Sequence, residues 1–294
     1  MAIAAVEAPE VNAWQTRPRR QDLRWGNPTV YFVALVFVAL MIGPVVYIVV
    51  GGFRSNAQIA ADPAGFPSPW QLDSYLRVLG NERFWVAFVN SVISALTTTI
   101  GVVALGLMVS FVLARYRFRG NAALYALFAA GLMFPMTVAI TPLYILVRSL
   151  GLMDSLAGVI LPQIAFGLPT TVIILVPFLR AIPHEIQEAA EIDGCGRMGF
   201  FFRMVLPLSM PGVITVGILA FIGAWNSYML PLYVLNDQRS VTLPLAVQQL
   251  ASGQYSTDTS LILAATSLAM LPALAFFSLF ERRIVGGLTG AVKG

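Results

Sequence analysis

The residue types that could do chemistry are few, and their spacing limits what that chemistry is. Glu185, Glu188 and Glu191 recur every third residue in Ile182-Pro183-His184-Glu185-Ile186-Gln187-Glu188-Ala189-Ala190-Glu191-Ile192-Asp193-Gly194. On a helix that spacing forms an anionic stripe, with Ile186, Ala189 and Ala190 as a small apolar patch beside it. The pattern fits either a solvated acidic face or a surface on which another protein docks. Pro183 suits the first position of such a helix, Glu185 lies where the macrodipole favours an anion, and Gly194 is a natural stop. A helix of about ten residues is expected. An aromatic-rich piece through Phe200, Phe201 and Phe202 should follow and end at Leu206-Pro207. Metal chemistry has little to work with. There is one cysteine, Cys195, and one histidine, His184, too few for a Cys/His site of three or four ligands. The one lysine is Lys293, with Gly294 alone behind it, so no G-x-x-x-x-G-K-[ST] phosphate loop exists. Any ATP used is hydrolysed by another chain, and neither a cofactor nor a catalytic residue is expected in this one.

The elements that must position those residues follow from composition. Of 294 residues 58% are hydrophobic and 11% charged, and the mean hydropathy is +0.79. Two soluble domains of this length would lack the polar surface to coat them, so the expected solvent is a lipid bilayer. Six long apolar runs recur, near 29–50, 86–113, 124–147, 156–179, 213–235 and 261–280. Each approaches or exceeds the ~20 residues that cross ~30 Å of hydrocarbon. The expectation is an all-α integral membrane protein with six transmembrane helices. The net charge of +4 argues less for nucleic acid than for orientation. Thirteen of the eighteen basic residues fall in the N-terminal tail, in the segments after the second and fourth spans, and at the C-terminus. Both termini are therefore expected on the cytoplasmic side. No Asp, Glu, Lys, Arg or His lies well inside a span, which disfavours a proton relay through the membrane.

Glu188-Ala189-Ala190, three residues, Gly194, nine residues, then Met204-Val205-Leu206-Pro207 resembles the E-A-A-x3-G-x9-I-x-L-P loop of permeases in binding-protein-dependent ABC importers. Met204 replaces the usual Ile, a conservative apolar change. Asn90-Ser91, Phe134-Pro135, Pro142-Leu143, Trp225-Asn226, Pro231-Leu232 and Thr242-Leu243-Pro244-Leu245 are similar to the carbohydrate branch of that family. The terminal Gly287-Leu288-Thr289-Gly290-Ala291-Val292-Lys293-Gly294 resembles the tail of its MalG-type subunit. The resemblance implies the type I permease core, a cytoplasmic coupling helix within 182–207, and a mechanism of alternating access. It implies coupling roles for Glu185, Glu188, Ala189, Ala190, Asp193, Gly194, Leu206, Pro207 and Lys293. The partners it implies are a second, non-identical permease, a homodimeric ATPase holding ATP and magnesium, an extracytoplasmic solute-binding protein, a sugar and the lipid bilayer. The location would be a bacterial or archaeal cytoplasmic membrane. The chain then divides into a cytoplasmic tail 1–28, a first span 29–50, an external loop 51–85, a five-helix core 86–283 and a tail 284–294 that touches the ATPase.

Residues for the substrate path are harder to select. Asn90, Ser94 and Thr97 share a helical face that Gly101 continues, a pattern that serves helix packing as readily as a pore. Phe221, Trp225, Asn226 and Tyr228 combine the aromatic and amide groups that suit sugars, although Trp225 and Tyr228 also fit an interfacial belt. In the outer segment 236–260, Gln248, Gln254 and Tyr255 are candidates for contact with the binding protein, as against an ordinary polar connector. Importers of glycerol phosphate or polyols use similar permeases. A stand-alone secondary transporter or channel, with kinks at Pro135, Pro142, Pro162 and Pro169, is the rival from another class.

Overall fold

The computed structural model describes residues 28–252 and 257–291, with side chains as far as Phe280. Every regular element among the described residues is helical. The described residues divide into two compact units between Val45 and Val46, within α1 (Pro28–Gly51). That helix opens on a proline whose fixed φ suits the first turn. Its 24 residues, at about 36 Å, suffice to cross a bilayer.

The second unit is built on α4 (Glu82–Arg115) and α7 (Leu156–Arg180), capped by Asn81 and Ser155, whose side chains accept from Arg83 N and Gly158 N. Side chains of α7 press directly onto the α4 backbone at its glycines. A Cβ at Gly106 would stand 2.3 Å from Thr171 Cγ2, and one at Gly101 would stand 2.4 Å from Ile164 Cδ1. In hydrocarbon, where lipid tails are as apolar as leucine, such close packing is what holds helices together.

Two expected spans are broken. The run 124–147 forms α5 (Asn121–Gly131) and α6 (Met136–Ser149), bent by 99°. Pro135 drives the residue before it out of the helical region. The run 213–235 is also not one helix. It forms α11 (Met210–Trp225), the irregular Asn226 to Tyr228, and α12 (Met229–Val234). Among the described residues four helices are long and apolar enough to cross a membrane, and up to six spans result when each of two bent pairs, α5 with α6 and Arg197–Leu208 with α11, counts as one.

The segment 51–85, expected as a loop, is more ordered than one. Ser55 and Gln58 make a capping box on α2 (Asn56–Ala61). Arg54, buried, donates to the carbonyls of Gln58, Asp62 and Pro63. On α3 (Asp73–Leu79), Tyr75 donates to Val49 O at 2.8 Å, and Ser74 hydrogen-bonds Ser260 of α14 (Thr259–Ala291). The segment 236–260 likewise contains a helix, α13 (Leu243–Ser252), seated by fully buried Leu243 and Leu245.

After α7 the chain turns through Ile182 into α8 (His184–Ile192). Pro183 precedes this helix as its cap, one position earlier than expected. Gly194 N donates to Glu191 O and Cys195 N to Ala190 O, the paired bonds of a Schellman end with Gly194 at φ +77°. Then come α9 (Arg197–Phe200), a π turn at Phe201–Val205 and α10 (Leu206–Leu208), and a bend of 76° leads into α11. The wide turn accommodates Pro207, which has no N–H and whose ring would strike the Arg203 carbonyl in a regular helix.

Two predictions arise from this layer. Gly194 has open space around it but a left-handed backbone, whereas Gly196 has open space and φ −69°. Gly194→Ala should therefore strain the α8 terminus by about 1–2 kcal/mol. Hydrogen exchange at Gly194 and Cys195 should accelerate about 5–30-fold, while Gly196→Ala changes little. Just before α14, burial pushes the Asp258 carboxyl up. Hydrogen bonds from Asn56, Arg77 and the Leu261 amide outweigh that and hold it below the usual range. A carboxylate depressed in the folded state stabilises above its unfolded pKa and loses that contribution as pH falls through its folded value. Melting profiles should show an acid limb below about pH 4 that flattens in Asp258→Asn.

Candidate functional site

The residues around α8 form one unit with the spanning helices. Ala190 is buried with Ile182, Phe200, Phe201 and Val205 against Leu107 and Phe111 of α4, Leu175 and Leu179 of α7, and Val216 of α11. Phe111 and Phe201 meet edge to face at 5.1 Å, a geometry that adds to area burial. Ser209 Oγ, at the bend, donates to Val205 O at 2.7 Å. Truncating one such phenylalanine costs about 3–5 kcal/mol. The opposite surface of the unit is open. Glu185, Glu188, Ala189, Glu191 and Asp193 are exposed, and beside them Ile192 is 86% and Met198 70% exposed, with Phe202 at 61%. Carboxylates thus surround large apolar side chains on a face that none of the described residues covers. Leu206 is half-buried and Pro207 exposed at the return to the membrane. Lys293 lies outside the described residues.

Within the spans, a cleft of about 240 Å³ opens between α4, α7 and α11, lined by Thr98, Gln163, Phe166, Thr170, Thr171 and Ser227 among others. Thr98 and Gln163 each sit seventeen residues before the ends of their helices, ~25 Å at 1.5 Å per residue, and Thr171 sits ~14 Å from the end of α7. The cleft therefore lies at membrane depth. Gln163 is 7% exposed. Thr98 Oγ1 donates to its Oε1 at 3.3 Å, and its Nε2 has no partner. Either orientation of that amide leaves an N–H unmatched, because Thr98 accepts at most one. Sequence reasoning about charged residues passed over Gln163, and the signal was an amide in an otherwise apolar run.

The sequence candidates for the substrate path are dispersed. Asn90 donates to the Arg239 and Val241 carbonyls and so ties α4 to the outer segment. Ser94 is buried, with no partner for its Oγ. Phe221 and Trp225 are buried; Phe221 stacks on Phe276 at 3.8 Å, and Trp225 donates to Ala269 O at 3.2 Å. Asn226 ends α11, exposed, and Tyr228 is half-buried against α12. Gln248 and Gln249 line a cleft of about 980 Å³ with Arg77, Arg83 and Gln238. Gln254 and Tyr255 lie outside the described residues. No group of three or more His, Cys, Asp or Glu able to hold a metal occurs among the described residues.

Comparison with known proteins agrees with this arrangement. The chain is 34% identical over 87% of its length to the diacetylchitobiose uptake system permease protein NgcG of Streptomyces coelicolor, covering 85% of that protein. It is 37% identical over 78% of its length to the trehalose transport system permease protein SugB of Mycobacterium tuberculosis, covering 84% of it. The sulfoquinovosyl glycerol transport system permease protein SmoH of Agrobacterium fabrum is 31% identical over 95% of the chain and 98% of its own. Its fold matches a chain in the crystal structure of a bacterial ABC transporter that imports alginate, with TM-score 0.75 and 20% identity over 86% of this chain and 95% of that one. A family model, the inner membrane component of binding-protein-dependent transport systems, matches residues 80–287. A chain built on bilayer-length helices, with a short helix welded to their ends, belongs to that family of inner membrane transport components.

Proposed function

We propose that this chain is the MalG-type permease of an ATP-driven importer for a di- or oligosaccharide, and that α8 is its joint to a separate ATPase. The observation that carries the reading is the two-sided character of α8, anchored through Ala190 to three spanning helices and exposing carboxylates around Ile192 and Met198 on the other side. Relatives named for diacetylchitobiose and trehalose support the substrate class. The chain cannot form a phosphate loop from its one lysine. ATP and magnesium are therefore assigned to a homodimeric ATPase that closes on nucleotide. A second, non-identical permease completes the cavity, and an extracytoplasmic binding protein delivers the sugar toward the outer cleft around Gln248.

The mechanism is alternating access. An ATPase that grips α8 differently in its two states biases the equilibrium of whatever moves with α8, and only such differential contact transmits work. The shared apolar cluster makes α4, α7 and α11 move with it. The cleft between those helices then offers the Gln163 amide and the hydroxyls of Thr98, Thr170 and Ser227 to sugar hydroxyls, beside the apolar face of Phe166.

In reconstituted vesicles, Glu188→Arg should abolish sugar-stimulated ATP hydrolysis while membrane insertion is retained; unchanged stimulation rejects the role of α8. Gln163→Leu removes a buried donor that lacks an acceptor but also the acceptor of buried Thr98 Oγ1, so the two effects oppose and the melting temperature should shift little. Sugar uptake should fall by about tenfold or more, as expected when a hydrogen bond to a hydroxyl is lost. Uptake at the parent rate removes Gln163 from the path.

A further inference from the structure

A second cavity, of about 760 Å³, lies where α4 and α7 end, and Arg115, Arg117, Arg180 and His184 line it. Arg115 and Arg180 are the last residues of two spanning helices. The cavity therefore sits where hydrocarbon gives way to water, at the depth of phospholipid headgroups. Arg115 is 7% exposed; its Nη2 donates to Ile182 O at 2.8 Å, and its Nε and Nη1 have no acceptor. A guanidinium does not shed its proton, so burial leaves a fixed positive charge with unmatched donors. No aspartate or glutamate is among the lining residues. Part of the charge answers the helix C-termini, but the Ile182 carbonyl takes only one of the Arg115 donors.

The rest of the wall is also arranged for an anion. Gly120, at φ +96°, turns the chain into α5, whose N-terminus has no side-chain cap, and Asn121, Ala122 and Ala123 of its first turn line the cavity. The first amides of a helix lack intrahelical acceptors and carry the positive end of its dipole. The Asn121 amide donates to Phe118 O at 3.2 Å, which leaves those of Ala122 and Ala123 to face an anion. This loop is fixed in place, because the Asn121 side chain donates to Leu113 O at 3.1 Å and Tyr116 O at 2.8 Å. At the mouth, Phe118 is 43% exposed beside Arg117, an apolar surface next to a charged one. An acyl chain and its phosphate present that same pairing.

We propose that this cavity binds the phosphate of an anionic phospholipid, with Arg115, Arg117, Arg180 and the α5 N-terminus as its donors. The inference stands apart from the transport reading, since it requires only that α4 and α7 end at the membrane surface. The test is thermal melting of the full-length chain, purified in a neutral detergent, against dioctanoyl phosphatidylglycerol, dioctanoyl phosphatidylcholine and inorganic phosphate. Phosphatidylglycerol should raise the melting temperature saturably, and phosphatidylcholine should not. Arg117→Gln with Arg180→Gln should weaken the phosphatidylglycerol response by at least about tenfold. Both side chains are exposed, so the variant is expected to fold, and gel filtration checks this. Arg119→Gln, on the same loop but off the cavity, should respond as the parent does. Three results would overturn the proposal: no response to phosphatidylglycerol, an equal response in the doubly substituted protein, or an equal response to phosphate alone, which would mean a soluble anion and not a lipid.

Discussion

A nine-residue helix has too few hydrogen bonds to hold itself in water, where even good helix formers need roughly 12–15 residues. What fixes α8 is burial of one small side chain, Ala190, together with the aromatic segment that follows, against α4, α7 and α11. A larger residue at that position would lift the helix away from Phe111 and Leu179. A polar one would leave its hydrogen-bonding groups unmatched. The proposed coupling depends on this contact, because an α8 that could pivot freely would absorb a partner's motion without passing it on. The Schellman end at Gly194 and the π turn before Pro207 are the two backbone devices that let the chain return to the membrane while keeping the cluster closed.

Much of this was legible in the sequence, for physical reasons that differ from element to element. The glutamate spacing and the Pro183 and Gly194 boundaries located α8 to within a residue, because caps and stops act locally. Apolar runs located the spans, since a bilayer demands ~20 apolar residues whatever else is nearby. Run length could not reveal the break before Pro135 or the end of α11 at Trp225. There an apolar segment folds against protein, and hydropathy does not distinguish lipid from a neighbouring helix. The segments 51–85 and 236–260 showed the same limit. Their helices α2, α3 and α13 are held by long-range partners such as Ser74 with Ser260 and Ser91 with Leu243 N, which local patterns do not contain.

The substrate-path residues were the least legible. Aromatics at helical spacing pack in a core as readily as they face a sugar, and here Phe221 and Trp225 are buried with Phe276 and the Ala269 carbonyl. The polar groups that reach the cleft, Thr98 and Gln163, come from two helices sixty-five positions apart. Only close packing of α4 on α7, permitted by Gly101 and Gly106, brings them together. A polar pair kept at membrane depth, with one donor unmatched, is expensive there and marks a candidate functional position.

The most direct test of the mechanical claim is a pair of spin-label distances in the assembled importer, with and without nucleotide. One label sits on Ala189 and the other on Arg239 at the outer face of the same chain, with Cys195 replaced by serine. A second pair joins Ala189 to the equivalent helix of the partner permease. The account predicts that nucleotide shifts the distance between the permeases while the distance within this chain stays fixed. An α8 that moves relative to its own spanning helices, with no change between the permeases, would contradict it.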